Sequence, residues 1–114
     1  ATNAPRPDEL ISGRPYVRAD IQGAEHQSFT DVCSYQDLLA EMPDAPAAIV
    51  DAVDEYATEG CEQGQLDIDE AHRIILRLTT AFLLEQLWDD DSYAPLLRSG
   101  TGTDPTLALL EQQD

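Results

Sequence analysis

Lysine is missing from this chain, and all of its positive charge rests on 6 arginines set against 23 Asp and Glu residues. The resulting net charge of −17 over 114 residues argues against a nucleic-acid or anionic-membrane binder, because phosphates would be repelled. It favours solubility and strains the compact state by self-repulsion, which salt screens. An acidic solvated surface is one reading of this balance, and adaptation to salty surroundings is the sharper one. Long apolar runs are also missing. The longest, Ala81 to Leu84 among them, are four residues, far short of the ~18–20 residues of a membrane span, so no span is expected. The segment from Ala1 to Pro7 lacks the basic and apolar regions of a signal peptide. Aromatic residues make up only 6% of the chain, which leaves no stacking platform for sugars or single-stranded nucleic acid.

Cysteine is scarce too. Cys33 and Cys61 are the only two, and neither belongs to a C-x-x-C pair, which weakens zinc and thioredoxin-type readings. They flank a predicted helix pair, so a hairpin would bring them together. A disulfide, with the oxidising compartment it implies, and two buried free thiols are the alternatives. H-E-x-x-H is absent. Asp67 and Asp69 lack the Gly and distal Glu of a calcium loop, and Asp89-Asp90-Asp91 offers too few ligands and reads as a solvated turn. No metal and no cofactor is expected.

What is present fits one small domain with 42% apolar residues. Val17, Ala19 and Ile21 alternate with Tyr16, Arg18 and Asp20, the period of a half-buried strand over 16–21. No second strand is evident, so this one is expected to pair with another chain, another copy, or a part of the protein outside these residues. Asp8 to Ser12 could form one helical turn. Thr30 is a plausible N-cap, followed by the helical stripe Val32, Tyr35, Leu38, Leu39 and Met42, which Pro43 stops. A second helix carries Ile49, Val50, Val53, Tyr56 and Ala57, with Gly60 as its C-terminal cap. The longest helix begins at Asp67 or Asp69, runs to about Trp88, and presents Ala71, Ile74, Ile75, Leu78, Phe82, Leu83 and Trp88 as its apolar face. A packed turn around Tyr93, Leu96 and Leu97 follows, then a Gly/Thr loop and a short terminal helix over Pro105 to Gln112.

Between the strand and the first helix, a Gly-led loop presents His26. A histidine so placed can reach a nucleophile on neighbouring strands. The segment Gly23-Ala24-Glu25-His26-Gln27-Ser28-Phe29-Thr30-Asp31 resembles the catalytic-His segment of α/β-hydrolases of the platelet-activating-factor acetylhydrolase, dienelactone-hydrolase and polyesterase kind. The stretch from Ala71 to Leu83, with Asp89 to Tyr93 and Leu96-Leu97, resembles their last helix and tail. The resemblance implies an α/β fold: the C-terminal portion of a hydrolase over residues 1–98, one strand packing on a sheet supplied elsewhere, then a tail over 99–114 carrying a short helix. It implies His26 as general base and acid in carboxylic-ester cleavage, in a secreted or extracytoplasmic protein. No G-x-S-x-G elbow occurs, and Ser28 is too near His26 to be held by a separate strand. Asp8 is a weak candidate for the orienting acid. The expected partner is therefore an N-terminal hydrolase portion or second chain carrying the nucleophilic Ser and the acid, together with an ester substrate. The alternative is a non-catalytic binding or self-assembly protein that associates through its single strand. His72, early in the long helix, reads as a hydrogen-bonded structural histidine.

Overall fold

The computed structural model describes residues 10–99 and the backbone of residues 108–113. Strand β1 (Tyr16–Ile21) leads into a 3-10 turn (His26–Phe29) and then helices α1 (Val32–Ala40), α2 (Ala47–Ala57), α3 (Ile68–Trp88) and α4 (Ala94–Ser99). Strand β2 (Ala108–Gln113) returns antiparallel to β1, from Tyr16 opposite Gln113 to Ile21 opposite Ala108.

This is a helical domain with one two-stranded ribbon, and it corrects the expectation of an α/β-hydrolase portion. In such an enzyme the strand before the catalytic His would lie in a mostly parallel sheet covered on both faces. Here β1 finds its ladder partner within the chain, no larger sheet exists among the described residues, and Arg18 and Asp20 bridge along the strand at 2.5 Å. The tail is corrected with it. Residues 108–113 are extended, not helical, because pairing with β1 satisfies backbone groups that β1 would otherwise leave unpaired. The suggested turn at Asp8 to Ser12 begins outside the described residues, and 11–13 are irregular.

Helix α3 organises the core. Asp67 caps it by accepting from the amides of Asp69 and Glu70, and those two acids occupy the first turn, where the helix dipole favours them. Ile74, Leu78 and Ala81 of α3 and Leu97 of α4 are buried together. Val17 and Ile21 of β1, with Leu66, Phe82 and Leu96, pack against this cluster. The helix ends at Asp89 in the left-handed conformation (φ 54°), a residue type that tolerates it.

The α1–α2 hairpin stands beside this core and contributes only Val32 and Ala57 to the buried apolar set. It is closed by the Cys33–Cys61 disulfide (Cα–Cα 5.6 Å) and by a Gln36–Asp54 hydrogen bond of 2.9 Å. Thr30 is not the cap of α1. Asp31 takes that position without a side-chain bond, and Thr30 instead accepts from the Val32 amide at 3.3 Å. Gly60 lies beyond the Thr58 cap of α2, buried against the 3-10 turn. A Cβ there would lie 2.9 Å from the Ser28 amide nitrogen, so only glycine permits this approach.

Candidate functional site

The loop that carries His26 is fixed at several points. Gly23, at φ 77°, lets the chain turn out of β1, and its carbonyl accepts from the Leu66 amide at 2.8 Å. The Gln27 amide donates to the Glu59 carbonyl at 2.7 Å, which ties the 3-10 turn to the end of α2. Ser28 is completely buried, and its hydroxyl accepts from the Glu25 amide at 2.9 Å.

His26 opens the turn and is exposed, and its ring makes no hydrogen bond to a described residue. A Ser–His–acid relay needs a nucleophile on one ring nitrogen and a carboxylate on the other. The described residues bring neither to His26. Ser28 has its hydroxyl turned into the loop, and Asp8 lies outside the described residues. His72 behaves as a structural histidine. Its Nε2 lies 2.9 Å from the Thr30 carbonyl, which can only accept, so Nε2–H is the donor and ties α3 to the start of α1. Among the described residues no group of three or more His, Cys, Asp or Glu side chains could hold a metal ion.

The more developed feature is the outer side of α3. Leu76 is 65% exposed, Leu87 68% and Trp88 73%. With Arg73, Arg77, Thr80 and Leu84 they recur at three- and four-residue steps, so one helical stripe carries them all, turned away from Ile74 and Leu78. Between this stripe and α4 runs an open groove of about 400 Å³ lined by Leu76, Arg77, Thr80, Ala81, Leu84, Tyr93 and Leu96. A smaller groove, formed by Phe29, Asp31, His72 and Ile75, meets it at Leu76. Leu76 lines both grooves, and Leu87 and Trp88 stand exposed toward the C-terminal end of the same helix; large exposed apolar side chains grouped on one helix are what a monomer's surface ordinarily limits.

Both ends of the stripe are charged. Arg73 bonds Glu70 through a bidentate contact that raises the guanidinium pKa further. At the far end the Ser92 hydroxyl donates to Asp90 at 2.5 Å and the Ser92 amide at 3.0 Å, and both hold the Asp90 carboxyl below its ordinary range.

Trp88 was expected on the core face and stands instead among the most exposed large side chains of the described chain. Leu76, Leu84 and Leu87 were not expected to matter. Their signal was nonetheless in the sequence: α3 is apolar on two sides, and a helix with two apolar sides needs two coverings. Compared with known proteins, the chain matches no family model, no curated sequence and no solved structure.

Proposed function

We propose that this domain is a non-catalytic interaction module that binds through the outer stripe of α3 and the groove beside it. The observation that carries this reading is the exposure of Leu76, Leu87 and Trp88 on the side of α3 turned away from the buried Ile74 and Leu78. Association through a lone strand, the form first expected for a binding protein, is superseded because β1 is paired with β2. The disulfide is compatible with an extracellular setting, and no described helix is long and apolar enough to cross a membrane.

The described residues bring neither a nucleophile nor an acid to His26, so the interaction reading expects no ester turnover by the purified chain. The purified chain is titrated with Nile red, an uncharged apolar dye, and assayed in parallel for p-nitrophenyl ester hydrolysis and fluorophosphonate labelling. The interaction reading expects saturable dye binding that Leu76→Gln and Leu87→Gln abolish without changing the circular dichroism spectrum. Ester turnover by the chain that is lost in His26→Ala would refute it, as would dye binding indifferent to both leucine changes.

A further inference from the structure

We propose that the α1–α2 hairpin carries a separate docking face, and that its occupant is a basic amphipathic helix of another polypeptide. The proposal does not depend on the α3 stripe.

The hairpin turns its large apolar side chains outward. Tyr35 and Leu38 of α1 and Ile49 and Tyr56 of α2 are each more than half exposed. At roughly 100° per residue, Tyr35 and Leu38 lie about 60° apart around α1, and Ile49 and Tyr56 about 20° apart around α2. On each helix the pair stands about a quarter turn from the more buried positions, which are Val32 and Leu39 on α1 and Val50 and Ala57 on α2. The offset has the same rotational sense on both. The helices run antiparallel, with the Cys33–Cys61 bond at their base. Such a pair is related by a two-fold axis normal to the plane of the hairpin, which keeps equal offsets on one side. All four side chains therefore emerge on one face. Gln36 and Asp54, offset the other way, bond to each other across the opposite face. The apolar strip overlies the valley between two antiparallel helices, the position a third helix takes in a bundle.

Charge identifies the occupant. Farther round the helices, Asp37 and Glu41 stand on the outer edge of α1, and Asp51 and Glu55 on that of α2. The sequence holds no Arg or Lys between Arg18 and Arg73, so no cation of the hairpin itself neutralises these borders. An apolar strip with carboxylates along both margins is complementary to a helix whose apolar side is flanked by Lys or Arg. The same margins oppose a second copy, whose hairpin would set carboxylates against carboxylates, and they oppose an anionic lipid surface. The build of the hairpin agrees with an outward role for its apolar residues. A disulfide closes it, Val32 and Ala57 are its buried apolar residues, and the larger side chains are left facing out.

The test is fluorescence anisotropy of a dye-labelled Leu/Lys peptide, its leucines at helical i, i+3, i+4 spacing, titrated with the intact, oxidised chain at about 0.15 M NaCl. Saturable binding is expected, at least tenfold tighter than for the same residues in scrambled order, and none when Glu replaces Lys. Leu38→Gln combined with Ile49→Gln should weaken it at least tenfold without changing the circular dichroism spectrum. Glu41→Gln combined with Glu55→Gln should weaken it severalfold and flatten its dependence on salt. Leu76→Gln should leave it unchanged, which separates this result from the Nile red titration. Equal binding of the scrambled peptide would reduce the contact to undirected charge attraction and overturn the proposal. Binding that Leu76→Gln abolishes and the hairpin changes leave intact would overturn it too, as would no binding at all. A dimer of the chain alone that Leu38→Gln dissociates would assign the face to a second copy. Binding to phosphatidylcholine vesicles lost in the same variant would assign it to lipid. Either outcome refutes the basic-helix partner.

Discussion

Reduction of the Cys33–Cys61 bond should loosen the α1–α2 hairpin while leaving the α3 core in place. The two cysteines are 28 residues apart, and in the loop-entropy treatment a link of that length stabilises the folded state by about 3.5 kcal/mol. Few other contacts hold the hairpin. Val32 and Ala57 are its buried apolar residues, while Tyr35, Leu38, Met42, Ile49 and Tyr56 stay roughly half exposed or more. Its other cross-link is the exposed Gln36–Asp54 hydrogen bond, the kind of contact whose net contribution is about 1 kcal/mol. Removing about 3.5 kcal/mol corresponds to a several-hundred-fold rise in opening. The assay is amide hydrogen exchange read by mass spectrometry of peptic fragments, with and without a phosphine reductant, and repeated on the Cys33→Ser/Cys61→Ser chain. Protection over residues 32–57 should fall by that factor or vanish, while residues 71–81 retain most of theirs. Equal loss in both regions, or none in the hairpin, would refute the view that the disulfide substitutes for a core there.

Three further perturbations test other parts of the structure. Ile74→Ala removes a side chain with no exposed area, and the cavity should lower unfolding stability by about 2–5 kcal/mol, measured by urea denaturation of the oxidised chain. Gly60→Ala places a methyl group 2.9 Å from the Ser28 nitrogen and 3.0 Å from the Gln27 carbonyl carbon. It should lower Tm and shift the amide resonances of residues 26–29, and an unchanged spectrum would contradict the close approach. Asp90 titrates below its ordinary value of 3.8 because Ser92 donates to it. A depressed carboxyl stabilises the turn above the unfolded value and loses that contribution as pH falls through the folded one. Carbon-detected NMR titration of Ser92→Ala should move the Asp90 midpoint upward, towards the ordinary range.

The elements that could be read from sequence are those fixed by local chemistry. Alternation gave β1, proline at 43 and 46 separated α1 from α2, and the apolar periodicity after Asp67 or Asp69 gave α3, whose cap is Asp67. What could not be read depends on distant partners. Residues 108–113, Ala-Leu-Leu-Glu-Gln-Gln, are good helix formers, and their strand state comes from β1, some ninety residues earlier. The same blindness affects α3. Periodicity finds its apolar positions, but which of two apolar sides is covered is decided by where α4 and the ribbon dock, and so Trp88 was assigned to the wrong side. For the site, the sequence displayed the loop of His26 and the histidine itself. It could not reveal that Ser28 is sealed inside the loop, because that depends on Gly60 approaching from beyond the end of α2, or that no acid among the described residues bonds the ring, because that depends on where distant carboxylates fall in the fold.

The register of the ribbon has a mechanical consequence. Tyr16 and Gln113 are its outermost pair, so the start of β1 and the end of β2 lie side by side. Tension that draws them apart falls on that first pair alone, then on Val17 and Gln112, and so on along the ladder. Bonds loaded in succession yield at far lower force than bonds sheared together. Under pull the ribbon would unzip first, exposing Val17 and Ile21 from beside α3, while the helices and the disulfide-closed hairpin remained intact.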